Sequence, residues 1–127
     1  MEKEEAHHLL ALHSGRMGAF VEGYRFALRY KTGKRKELRR GFEEVIACLR
    51  VLEEEFHRPV LPRLLLADLN ELLLGGILAM NKEGAAPEAA VFTMVLAETI
   101  TALLEKNPRP FEAYERYPEN YDNQLSQ

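Results

Sequence analysis

The sequence predicts an all-α fold: a four-helix bundle built from antiparallel helical hairpins, with a short aromatic C-terminal tail. Three observations predict it. Apolar residues recur every three or four positions in four long segments of the 127-residue chain, which is the period of one helix face. All six prolines fall at the ends of those segments or in the tail, where proline interrupts a helix least. No segment alternates apolar and polar residues in the way of a half-buried strand.

The first helix is expected over 3–31, with Ala6, Leu9, His13, Met17, Phe20, Tyr24 and Ala27 on its inner face and Gly33 as terminator. The second is expected over 34–57, with Leu38, Phe42, Val45, Ile46, Leu49, Leu52, Glu53 and Phe56 facing inward. So short a connection makes the two an antiparallel hairpin. Pro59 and Pro62 separate the second helix from a third over 62–80. That helix is apolar on two sides: Leu65, Leu66, Leu69, Leu72, Leu73 and Ile77 on one, Leu64, Ala67, Leu74 and Leu78 on the other. A fourth helix over 87–106 presents Ala89, Phe92, Leu96, Ile100 and Leu103, and Pro108 and Pro110 follow it. The bundle domain thus spans 1–110. The tail, 111–127, carries Phe111, Tyr114, Tyr117 and Tyr121 at helical spacing and is expected to dock in part.

Length and composition fit one globular domain, with 46% hydrophobic and 29% charged residues. Cys48 is the only cysteine, so no disulfide forms within the chain. The charged start, Met1-Glu2-Lys3-Glu4-Glu5, has no signal-type apolar run behind it. The expectation is a cytoplasmic protein that does not engage a membrane. The net charge of −3 argues against polyanion binding by the molecule as a whole. Charge is nevertheless unevenly spread, with eight bases against one acid between Arg25 and Arg40, and eight acids against four bases after Asn81.

Glu-x-x-His pairs at Glu4 and His7, Glu5 and His8, and Glu54 and His57 have the spacing that carboxylate–histidine metal sites use. His7 and His57 are therefore the candidate metal ligands. Against them, His7 and Glu54 point away from the inner faces, and the third helix offers only Asp68 and Glu71. The expected reading is solvated helix ends with no metal and no cofactor. His13 lies inside an apolar stripe, and Glu53 is its expected partner, as a satisfied core pair or an acid–base pair. Cys48 has no histidine three or four residues away and reads as an apolar filler. Gly75-Gly76 lies within a leucine-rich helix, so it is no phosphate loop and marks a kink or close crossing. No nucleophile arrangement is present, and the chain is expected to be non-enzymatic.

Three surfaces remain. Arg25, Arg29, Lys31, Lys34, Arg35, Lys36, Arg39 and Arg40 form a basic corner able to neutralise phosphates, with Tyr30 available for stacking. Helix-end electrostatics and pairing with Glu43 and Glu44 account for the same charges more simply. Ala11, Gly15, Gly18 and the flanking Ser14 and Ala19 suggest a shallow groove on the first helix for another helix to approach. Leu64, Ala67, Glu71, Leu74 and Leu78 mark the side of the third helix that a small bundle needs least, hence a self-association face. The leading expectation is an accessory protein that self-associates and binds a protein partner. Nucleic-acid or ribonucleoprotein binding through 25–40 comes second, and a metal- or ligand-binding bundle third.

Overall fold

The computed structural model describes residues 1–121 and is all-helical among them. Its elements are α1 (Lys3–Ser14), α2 (Tyr24–Tyr30), α3 (Arg35–Leu52), a 3-10 turn (Glu53–His57), α4 (Arg63–Met80), α5 (Pro87–Leu104) and α6 (Glu112–Asn120). Helix α4 packs on α1, α2 and α5, and α3 packs on α1, α2 and α5. Part of the tail assigned to 111–127 lies in α6; residues 122–127 lie outside the described residues.

The long first helix is corrected by the structure. Gly15 adopts φ +84°, in the left-handed region, and its N–H returns to Leu12 O at 3.2 Å. Only glycine takes this conformation without strain, so it ends a helix cleanly. Gly18 at φ +105° continues the loop, and a new short helix begins at Tyr24. Met17, assigned to the inner face, is consequently exposed. The glycine-lined groove on the first helix does not form either. Gly15, Gly18 and Ala19 belong to the loop, while Ala11 and Ser14 are buried within the bundle.

The second and fourth expected helices match their faces. Leu38, Phe42, Val45, Ile46, Leu49 and Leu52 of α3 are buried, as are Ala89, Phe92, Leu96, Ile100 and Leu103 of α5. Helix α5 has the length and composition to cross a membrane, but ten of its eighteen residues are buried in the chain's own core. Phe42 and Phe92 stack with ring centroids 4.1 Å apart, and Tyr117 of α6 meets both edge-on. Arg50 of α3 lies over Phe111 at 4.6 Å and over Tyr114 at 5.5 Å. These contacts fold α6 back over α3 and α5.

Helix α4 departs from its expected main stripe. Leu65, Leu69 and Leu72 are buried, but Leu66 and Ile77 face outward. Asp68, Gly75, Gly76 and Ala79 complete the inner face. Those small residues bring neighbours against the α4 backbone. A Cβ on Gly75 would strike the Arg25 guanidinium and its Cδ, so that glycine is what lets Arg25 lie flat across the helix. Glycine inside a helix costs about 1 kcal/mol relative to alanine, and the seating of Arg25 is the return visible in the structure.

Candidate functional site

Two of the polar contacts that pin the loop 15–23 and α2 to the bundle centre on buried side chains. The first is His13, at the end of α1 and fully buried. Its Nδ1 accepts the Tyr24 N–H at 2.9 Å, which caps the first turn of α2. The expected partner, Glu53, is not involved; it lies in the 3-10 turn beyond α3. A carboxylate does approach, but it is Glu44 Oε1, 3.6 Å from Nε2. The second contact is Asp68, buried on the inner side of α4. It receives Arg16 through Nε at 2.7 Å and Nη2 at 3.2 Å, with the Ser14 hydroxyl 3.1 Å away.

Accepting the Tyr24 N–H requires Nδ1 of His13 to be unprotonated, and burial, the dominant influence, lowers the pKa below the ordinary 6.5. Glu44 opposes that shift and Arg40 adds to it. The unfolded chain therefore takes up the proton first as pH falls. The stability contributed by the neutral imidazole is complete above pH 6.5 and declines as pH drops from there towards the folded-state pKa. Replacing His13 by leucine should remove this component of the pH dependence. It should also leave the Tyr24 N–H without its acceptor, at about 1–3 kcal/mol. Urea unfolding of both proteins at about pH 7.5 and about pH 5.5 measures both effects. A gap between them that does not narrow on acidification would contradict the assignment.

The basic corner is only partly available. Arg35 Nε lies 2.7 Å from Glu88 Oε2 and Arg39 Nη2 3.8 Å from it, and Glu88 is buried. Arg39 also donates to the Tyr117 hydroxyl at 3.2 Å. Arg25 faces Glu71 at 3.7 Å. Lys31 lies over the Phe26 ring at 5.6 Å, and Arg29 over the Tyr30 ring at 5.3 Å. Lys34, Lys36 and Arg40 are exposed on α3 and the turn before it. The structure thus divides eight clustered cations into a group that neutralises acids of this chain and a group that faces outward.

Asp68 and Glu88 were not singled out in the sequence, although a signal existed. Asp68 lies three residues after Leu65 and four before Leu72, on the inner arc of α4. Glu88 lies four before Phe92, on the inner arc of α5. A buried acid at such a position needs a base from another element, and Arg16, Arg35 and Arg39 supply it.

The remaining candidates separate in space. His7 Nε2 lies 2.9 Å from Glu55, and Lys3 pairs with Glu54 at 3.3 Å, so the start of α1 does meet the end of α3. His57 is exposed. Among the described residues no three His, Cys, Asp or Glu side chains converge as metal ligands would. Cys48 is buried, and burial pushes its thiol pKa up to about 12, with Glu44 and Glu5 contributing. It is therefore a protonated thiol and a poor nucleophile at neutral pH.

Two surfaces are left. One is the outer face of α4. Leu64, Leu66, Leu74, Ile77, Leu78 and Met80 are exposed large apolar side chains, with Ala67 among them. The other is a groove of about 600 Å³ between the loop, α2 and α4, where Phe20, Phe26 and Tyr30 stand beside Arg25, Arg29 and Glu71. No protein-family model, curated protein or solved structure matches this chain. Its function must be read from these surfaces themselves.

Proposed function

We propose that this chain is a cytoplasmic, non-enzymatic accessory protein that self-associates through the outer face of α4 and offers its remaining surface to a protein partner. In this reading it is a four-armed bundle, with α1 and α2 as one broken arm and α3, α4 and α5 as the others. The observation that carries the proposal is the composition of the α4 face. Six large apolar side chains stand in solvent on one helix, with Arg63, Asn70 and Glu71 as the polar residues beside them. An 18-residue helix is about 27 Å long, so this is a continuous stripe of the kind that marks an interface.

Glu71 is the one acid on the stripe. A two-fold antiparallel crossing at the helix midpoint would bring the two copies of Glu71 together. The geometry supports a remedy: each Glu71 faces Arg25 of its own chain at 3.7 Å, and Gly75 gives Arg25 the room to reach it. The pair is close to neutral, so the approach of two copies is not opposed by like charges. Light scattering across micromolar concentrations tests the reading. A dimer mass is the expected result, and a concentration-independent mass of 14.6 kDa would overturn it.

A further inference from the structure

The groove beside α4 asks for a different occupant from the apolar face. Its walls combine three kinds of chemistry. Phe20, Phe26 and Tyr30 supply aromatic surface, and Tyr30 is 63% exposed. Arg25 and Arg29 supply guanidinium groups. Glu71 supplies one carboxylate acceptor at the α4 side. We propose that this groove binds a nucleoside monophosphate.

Each part of such a ligand has a counterpart. Arginine forks match phosphate oxygens in a bidentate manner that no other side chain reproduces. Arg29 is exposed and stacked on Tyr30, and no carboxylate among the described residues is paired with it. Arg25 is pre-positioned by its bed on Gly75. Flat bases stack on aromatic rings largely regardless of base identity. Glu71 can accept from an exocyclic amine or a ribose hydroxyl. A bare phosphate would leave the rings unused, and an aromatic carboxylate would bring no donor to the Glu71 oxygen that Arg25 does not face. A volume of about 600 Å³ falls in the range of small-molecule sites. The net local charge favours one phosphate rather than a longer chain of them, because Arg16 is committed to Asp68 and Arg25 is shared with Glu71.

The groove borders the self-association face and shares Ala67 and Glu71 with it, while its aromatic rings and arginines come from α2 and the loop. Calorimetric titration of the full chain with adenosine monophosphate tests it, with adenosine, inorganic phosphate and a single-stranded oligoribonucleotide as the other probes. The mass of the protein is measured in the same samples. The expected result is that the monophosphate binds about tenfold or more tightly than either adenosine or phosphate. Arg29→Gln and Tyr30→Leu, both at exposed positions, should each weaken it about tenfold while the helical circular-dichroism spectrum is retained. Lys34→Glu with Lys36→Glu, outside the groove, should leave it unchanged. No binding at millimolar monophosphate would overturn the proposal, as would phosphate binding equally well. Tighter binding of the oligoribonucleotide that is lost in the Lys34/Lys36 variant would overturn it in favour of an extended polyanion surface.

Discussion

Changing Leu74 and Leu78 together to lysine should convert a dimer of this protein into folded monomers. The two leucines are 41% and 54% exposed in the single chain, so lysine at either position can extend its ammonium into solvent without entering the core. In a dimer the same positions are covered. Full burial of a leucine contributes about 1.5–3 kcal/mol relative to exposure, and roughly half of that remains to be gained here. Leu64, Leu74 and Leu78 on each of two copies, with Leu66, Ile77 and Met80 at the margins, bring several kcal/mol to association. That must exceed a docking cost of at least about 4 kcal/mol, so the balance is sensitive to a few side chains. Placing two unpaired ammonium groups per chain in the interface removes the apolar gain and adds desolvation of charge. The expected result is a dissociation constant raised about 100-fold or more with an unchanged thermal transition at low concentration. Sedimentation equilibrium of both proteins reads it directly. A double variant that remains dimeric would place the interface elsewhere. A variant that unfolds would show that these leucines belong to the monomer's core.

The same helix shows where sequence reasoning reached and where it stopped. An excess of apolar residues around α4 is a local property, and it pointed correctly to a side that the single chain leaves exposed. Its exact arc was not legible. Leu66 and Ile77 have the spacing of a core stripe, and only the seating of Arg25 and Thr93 against Gly75 and Gly76 explains why the inner face is made of small residues instead. That information comes from α2 and α5, far away in the chain. The break in the first helix had a local signal, Ser14-Gly15 and Gly18, but Met17, Phe20 and Tyr24 continue the three-four spacing through the loop and conceal it. His13 was legible as buried because it lies in an apolar stripe. Its partner was not, because a backbone N–H carries no mark in the sequence. The groove depended on the same break: with an unbroken first helix, α2 could not turn to set Phe26 and Arg29 against α4.

Replacing Phe42 by alanine should destabilise the chain by about 3–5 kcal/mol, the usual cost of deleting a fully buried phenyl ring. Phe42 has no exposed surface and occupies the centre of an aromatic cluster. Its ring lies parallel to Phe92 at 4.1 Å, while Tyr117 stands edge-on to it at 5.7 Å and Tyr114 tilts towards it at 5.9 Å. Each such pair adds about 0.5–1.5 kcal/mol beyond its area, so the loss should fall towards the upper part of that range. The cavity would open between α3, α5 and α6, and α6 has the fewest alternatives. It is nine residues long and buries only Tyr117. The rest of its hold on the bundle includes Tyr114, which donates to Glu43, and Arg50 over Phe111 and Tyr114. Helix α6 should therefore loosen before the rest of the domain does. Two measurements separate the global effect from the local one. The thermal midpoint should fall by roughly 10–20 °C, given about 3–5 °C per kcal/mol for a domain of this size. Amide exchange should accelerate in α6 at temperatures where α3 and α5 remain protected. A loss below about 1 kcal/mol would mean that the ring is not packed as described. A full loss with α6 still protected would mean that α6 is held by its polar contacts rather than by the cluster.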